Sequence, residues 1–533
     1  MNTKPKVLLV HPASKSRGFA FPIGLLYVAQ SLIKTDIDVS FVHLGIDSVK
    51  NIKLENYLFV GISMLTSKMI LDGLHVAKLV KNYNKNIPIV LGGVHPSLLP
   101  EESLQNELVD IVVIGEGEKT VQELAVCLQN KGDLSKINGI AFKDNTGKIV
   151  VNPPRDFIDM NELDFDLPYH LLGNNISLSY ELPLHTSRGC PYKCSFCYSP
   201  AFHKRKYRCK SAERVVEEIE YLYKKYNIKR FDAGYEDEFF LDVNRTYKIF
   251  STILKKGLKI RWSSFCRFDT FDNAVKKFGA DFVDTIKKSG CDYLALGAES
   301  GSQRLLDEII KKDIKIEQIL RAVDWLKKYN IPHRVGFTCC YPTETQEDLN
   351  ATFDLIDKIS YNNSNMILGI GRLIPLPGTS VFELLKKEYN YKPPSTLVGW
   401  GEYNPFDSYK EATWLSEKHV KMCHNMSLLA APGFVFYKDF KSYKMYREFI
   451  SSSNSATVYP TGYVGYLITK IQRWRYKKRK FNNMIESILF NKFRKMQFSM
   501  KRYIVNIILR KYLSQKAYQR LKIWFGNKNV TEK

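Results

Sequence analysis

Residues 184–198 read LHTSRGCPYKCSFCY, and the three cysteines of that stretch decide how the rest of the chain is read. Cys190, Cys194 and Cys197 fall in one loop, flanked by Gly189 and Pro191. A cubane iron–sulfur cluster normally takes four cysteine thiolates. Three thiolates leave one iron open, able to chelate an amino and a carboxylate group of a small molecule. A tetrahedral zinc site completed by Cys209 or His203 is the competing reading of the same thiols. Ten cysteines in 533 residues are too few for a secreted disulfide scaffold. Their crowding points to metal or redox chemistry in a reducing cytosol, so a cytoplasmic location is expected.

Outward from the motif, short apolar runs alternate with helical patterns on both sides. Downstream, Leu184–Ser187, Arg230–Ala233, Arg261–Phe265, Tyr293–Leu296, His333–Thr338 and Met366–Ile370 read as strands, separated by helices such as Ser211–Lys225 and Ile316–Tyr329. About six such units predict a partial parallel (β/α)6 barrel with its chemistry at the strand C-terminal ends. Upstream, Val7–Val10, Val39–Val42, Leu58–Ser63, Ile89–Gly92 and Ile111–Ile114 read as strands, and Gly24–Leu32 and Lys68–Val80 as helices. That alternation predicts an α/β, doubly wound, mainly parallel sheet. Gly92-Gly93 and the run Gly115, Glu116, Gly117 follow two of its strands, where open α/β sheets bind ligands. The expected layout is 1–150 for this Rossmann-like domain, 151–183 for a Pro-containing linker, 184–400 for the barrel and 401–533 for a helical, basic C-terminal region.

The motif, CxxxCxxC with Phe196 before the last cysteine, resembles the radical S-adenosylmethionine (SAM) signature. Other blocks resemble the same family in order: Phe231–Phe240, Trp262–Asp269, the GAESGS run at 297–302, PTET at 342–345 and PLPGT at 375–379. The resemblance implies a 4Fe–4S cluster that cleaves SAM to a 5′-deoxyadenosyl radical. It places Phe196, Glu236 or Asp237, Arg267, Glu299 and Ser300 around SAM. An Arg can pair with the methionine carboxylate, and a carboxylate can hold its amino group or the sugar hydroxyls. PIGLLY at 22–27, VGIS at 60–63, VLGGVHPSLLP at 90–100 and DIVVIGEGE at 110–118 are similar to the cobalamin (B12)-binding domain of cobalamin-dependent radical SAM enzymes. Ser63, Gly92, Gly93, His95, Gly115, Glu116 and Gly117 would then line the cobalamin. The Asp-x-His-x-x-Gly motif that supplies a cobalt ligand elsewhere is absent, and His95 is read as a loop residue facing backbone or solvent.

The implied activity is methylation of an unactivated carbon; oxidative cyclisation or rearrangement with the same cofactors is the alternative. A tRNA methylthiotransferase would carry further cluster cysteines upstream, but residues 1–189 hold only Cys127. Relatives often have Gly at the second position of Cys339-Cys340. Neighbouring strand residues point to opposite faces, so these two are expected to face apart, as buried apolar thiols. Cys423 carries no functional reading.

Charge is concentrated at the end of the chain. Residues 470–533 hold 19 Lys and Arg against two acids, which is +17 of the net +24. Ile485, Ile488, Leu489 and Phe493 recur at helical spacing, as do Ile504, Ile507, Ile508 and Tyr512, giving apolar stripes with basic faces. Packing onto the barrel and peripheral contact of 470–525 with an anionic membrane are both open, and nucleic acid is the weakest reading. No apolar run is long enough to span a bilayer. A small-molecule or lipid-like substrate and an external electron donor complete the expected partners.

Overall fold

The computed structural model describes residues 4–12, 21–45, 47, 49, 52–175, 182–361, 363, 365–403 and 412–430, with 471, 474 and 478. The expected tail helices beyond 480 lie outside the described residues. Two compact units divide the chain: residues 1–265, 288–291 and 374–408, and residues 266–287, 292–373 and 409–533.

The first unit opens on a seven-stranded sheet of β1 (Lys6–His11), β2 (Asp38–His43), β3 (Phe59–Ser63), β4 (Ile89–Gly92), β5 (Ile111–Val113), β6 (Ile140–Lys143) and β7 (Ile149–Val151). Their order is β2-β1-β3-β4-β5-β6-β7. The first five pair in parallel, as the strand–helix alternation predicted; β1, β3, β4 and β5 are buried on both faces and need no polar alternation, while β2 is the half-exposed edge. The order 2-1-3-4-5 is that of flavodoxin-like sheets, whose ligands sit beyond the strand C-terminal ends. The antiparallel β6–β7 hairpin at the edge turns through Gly147 and was not anticipated. Val7, Leu9, Phe59, Val90 and Ile111 of the sheet pack with Leu25, Ala29, Leu124 and Ala125 of the covering helices. Each fully buried aliphatic side chain of this kind contributes about 1.5–3 kcal/mol.

The barrel strands are β8 (Leu182–Pro183), β11 (Arg230–Asp232), β12 (Arg261–Cys266), β13 (Cys291–Glu299), β14 (His333–Cys339) and β15 (Met366–Arg372), in the order β12-β11-β8 in the first unit and β15-β14-β13 in the second. A two-stranded ribbon, β9 (Ser187–Arg188) with β10 (Arg208–Cys209), lies between the first two of these in sequence. Within the first unit β8, β11 and β12 pair in parallel, and within the second β13, β14 and β15 do so. The expected strand Leu184–Ser187 is not formed. Thr186 instead gives its N–H to Glu236, while Lys210 N–H and Arg245 bind its carbonyl, so its backbone groups leave the ladder. Helices Leu397–Glu402 and Glu417–Ala430 follow the last strand. Among the described residues no helix is long and apolar enough to cross a membrane.

Candidate active site

The cysteine loop is built by a turn and two carboxylates. Gly189 sits at φ 82°, where a Cβ would come within 2.1 Å of Lys206 O, so no other residue fits before Cys190. Its N–H donates to Asp237 Oδ2 at 2.8 Å, and Asp237 also faces His203 Nε2 at 3.4 Å. Glu236 accepts from Thr186 N at 2.6 Å and from Ser187 Oγ. Burial lifts the Glu236 carboxyl to about 7, against the opposing pull of Arg245. Arg245 in turn donates to Thr186 Oγ1 at 2.6 Å and Lys210 O at 2.7 Å. Glu236 and Asp237 therefore fix the backbone leading into Cys190.

The donors beyond that turn suit a cluster. No disulfide joins Cys190, Cys194 or Cys197. Cys197 N–H donates to Cys194 O at 3.1 Å, and burial pushes its thiol up to about 12. Such a thiol ionises only beside a strong positive charge, which bound iron provides. Two hydroxyls in the same stretch, Ser195 and Ser199, are buried with no hydrogen-bond partner among the described residues. Orphaned donors of this kind call for an acceptor from outside the chain. Phe196 is half-buried between the last two cysteines.

At the N-terminal sheet, Ser63 and Gly92 pair in register at the ends of β3 and β4. A Cβ added at Gly92 or Gly115 would meet nothing within 4 Å, so both loops border open space. Gly93, at φ 97°, passes so close to Met64 that a Cβ would meet Met64 O at 2.7 Å. Ser97 ties the loops together, donating to Gly93 O at 2.7 Å and accepting from Gly115 N at 2.9 Å. Open strand ends bordered by glycine are what a broad, flat ligand needs, and in this respect the residues fit cobalamin. His95 departs from its expected setting. It is fully buried, with Nδ1 3.0 Å from Thr66 Oγ1 and its ring edge-on to Trp400 at 5.9 Å. Burial lowers its pKa to about 4, and Nε2 has no hydrogen-bond partner among the described residues.

Glu116 is likewise not an open ligand. It accepts from Arg208 at 2.7 and 3.0 Å and from Ile158 N at 2.9 Å, and lies 3.2 Å from Arg188. Arg188 also binds Glu118 at 2.5 Å. Arg188 belongs to β9, just before the cysteines, whereas Glu116 and Glu118 bracket Gly117 after β5. The two cofactor loops are thus joined by a buried ion network that sequence spacing could not show.

The remaining SAM candidates belong to the second unit. Arg267 forks onto Asp269 at 2.9 and 3.2 Å and also donates to Lys312 O. Glu299 ends β13 after a register shift, at φ 61°. It accepts from Lys312 Nζ at 2.6 Å and Thr338 Oγ1 at 2.9 Å. A Cβ at Gly297 would stand 2.2 Å from Glu299 Oε1 and 2.6 Å from Lys312 Nζ, so a larger residue would have to push that pair aside. The Ser300 hydroxyl accepts from Ser302 N at 3.0 Å and lies 3.3 Å from Thr352 Oγ1.

Comparison with known proteins identifies the family and the fold. The sequence model of the radical SAM superfamily matches residues 184–356, and that of the B12 binding domain matches residues 12–125. An uncharacterized methyltransferase of Pyrococcus horikoshii is 34% identical over 396 residues, covering 71% of this chain and 82% of that protein. An anaerobic magnesium-protoporphyrin IX monomethyl ester cyclase of Rubrivivax gelatinosus is 24% identical over 491 residues, covering 86% of this chain and 85% of that one. In fold, the chain is similar to the cobalamin-dependent S-adenosylmethionine radical enzyme OxsB solved with aqua-cobalamin and S-adenosylmethionine bound. The TM-score is 0.65 at 18% identity, over 99% of this chain and 85% of that one.

Proposed function

Because this chain belongs to the methyltransferase-like, cobalamin-dependent radical SAM enzymes, we propose that it methylates an unactivated carbon of a small molecule. When bound, the cluster with SAM supplies a 5′-deoxyadenosyl radical and cobalamin supplies the methyl donor. In this reading Cys190, Cys194 and Cys197 would hold the cluster, with too few thiolates to fill it and so room for SAM. Glu236 and Asp237 act on the cluster loop through Thr186, Ser187 and Gly189, and Phe196 packs beside it. Arg267, Glu299 and Ser300 orient SAM. Ser63, Gly92, Gly93, Gly115 and Gly117 line the cobalamin, and Glu116 carries the ion network to Arg188.

The observation that carries the proposal is the three-thiol loop clamped by Glu236 and Asp237 in the same compact unit as the glycine-bordered strand ends. Anaerobic, reconstituted protein given cobalamin, reductant, methyl-deuterated SAM and cell extract should form 5′-deoxyadenosine and pass the deuterated methyl group into one product. Product formed without label, having lost hydrogen, would move the function to oxidative cyclisation. That alternative draws on the likeness to the cyclase, which extends over 86% of the chain.

The domain layout (1–150, 151–183, 184–400, 401–533), an external electron donor and a lipid-like substrate met at an anionic membrane through 470–525 belong to the same proposal. The membrane arm rests on the +17 charge of the tail. Sedimentation with anionic vesicles at low salt should retain the full chain but not one truncated after Tyr459. Equal retention of the two would remove it.

A further inference from the structure

A second set of cysteines, far apart in sequence, meets in the second unit. The Sγ atoms of Cys339, Cys340 and Cys423 all lie within 4.8 Å of one another, and all three residues are buried. The expected opposition of Cys339 and Cys340 fails because β14 ends at Cys339 and Cys340 turns to φ 67°. That left-handed turn swings both thiols to one side.

The surroundings are polar and specific. Glu344, itself buried, accepts from Cys340 N at 2.8 Å, lies 2.9 Å from His419 Nε2, and accepts from Cys423 Sγ at 3.7 Å. Trp414 Nε1 donates to Cys340 O at 2.9 Å, so both backbone groups of Cys340 are held by side chains. His419 and Cys423 are one turn apart on helix Glu417–Ala430 and share a face. Glu344, His419 and Cys423 form a second overlapping trio within 4.8 Å.

Buried cysteines often serve as small apolar groups. That role requires neither a left-handed backbone at a residue other than glycine nor a buried carboxylate–imidazole pair against the sulfurs. A disulfide uses two thiols and leaves the third. A soft divalent cation uses all three. At a metal–sulfur distance of about 2.3 Å, tetrahedral ligand sulfurs stand about 3.8 Å apart, so the trio needs to close by about 1 Å or less. A carboxylate on the imidazole is the usual support of a metal-site histidine.

We propose that Cys339, Cys340 and Cys423 bind a thiophilic divalent cation of the zinc class, with the His419–Glu344 pair supplying the position beside them. The trio uses none of the cluster-loop cysteines, and nothing in it depends on the function proposed above.

The test uses full-length, anaerobically reconstituted protein, loaded with zinc alone and washed with a weak chelator. One zinc per chain is expected in addition to the cluster iron, and zinc-edge X-ray absorption should show mainly sulfur neighbours at about 2.3 Å. Cys423→Ser should lower zinc to less than a tenth per chain with iron unchanged, and His419→Ala should weaken zinc binding about tenfold or more. Cys190→Ala should do the reverse of Cys423→Ser, losing iron and keeping zinc. Wild-type protein without zinc, zinc held equally by Cys423→Ser, or zinc lost with Cys190→Ala would each overturn the proposal.

Discussion

The cluster loop and the Cys339–Cys340–Cys423 trio are two solutions to gathering three thiols. In the loop, Cys190, Cys194 and Cys197 are near neighbours in sequence, and the fold only has to hold one turn. In the trio, a strand end and a separate helix each deliver sulfur, and the fold does the gathering. Both arrangements place a buried carboxylate on a backbone N–H: Glu236 on Thr186, and Glu344 on Cys340. A local motif needs its carboxylate to set backbone geometry, whereas a long-range site needs its carboxylate to join two elements.

The largest expected effect separates the two completely. Cys190→Ala, Cys194→Ala or Cys197→Ala should abolish both iron binding and 5′-deoxyadenosine formation, read by iron content and chromatography. Stoichiometric iron in any of the three would break the assignment of the loop.

Next come the carboxylates. Glu236→Ala leaves two buried donors, the Thr186 N–H and the Ser187 hydroxyl, without their acceptor, each a loss of about 1–3 kcal/mol. Glu344→Ala leaves Cys340 N–H and His419 unpaired and should cost about 1–3 kcal/mol. Denaturant unfolding of the metal-free proteins measures both. Equal losses would contradict the view that the two carboxylates do different work.

The Glu236 effect also has a pH signature. Its folded pKa, about 7, lies above the ordinary 4.5, so protonation favours the folded state. This stabilisation is fully present below about pH 4.5 and is lost as pH rises through 7. The full swing of this fully buried group is about 3 kcal/mol. Wild-type protein should therefore lose stability relative to Glu236→Gln between pH 5 and pH 8, in paired unfolding curves. A constant difference between the two would place the ionised carboxylate at ease in its site.

Much of this was legible in sequence, where the determinants are local. Apolar runs such as those at 89–92 and 111–113 mark strands buried on both faces, and their alternation with helices marks the parallel part of the sheet. The cysteine spacing announces its own chemistry. What failed was long-range. Leu184–Ser187 falls where the βα rhythm calls for a strand, but Glu236, Lys210 and Arg245 claim the polar groups of Thr186. His95 reads as a loop residue until Trp400, from far along the chain, closes over it. Glu116 reads as a ligand in a glycine loop, and only the fold shows Arg188 and Arg208 on it. His419 and Cys423 did leave a signal, their spacing of one helical turn, but it gains meaning only beside Cys340.

The smallest expected effect is the sharpest test of the trio. Cys340 is held at φ 67°, where a residue other than glycine is strained by about 1–3 kcal/mol. Cys340→Gly relieves that strain, and the relief is offset by the greater backbone entropy of glycine in the unfolded chain, about 0.5–1 kcal/mol, and by the lost burial of one sulfur. The metal-free stability should change by no more than about 1 kcal/mol. Cys339→Gly has no strain to relieve, because Cys339 is the last residue of a strand and its thiol donates to Gly371 O at 3.1 Å. It should cost about 1–2 kcal/mol from the same entropy and burial terms. Zinc binding should be lost in both. A metal-free Cys340→Gly protein destabilised well beyond its Cys339→Gly counterpart would mean that the Cys340 thiol serves packing. Near-equal stability to wild type with loss of zinc would mean that the strained turn is kept for the metal.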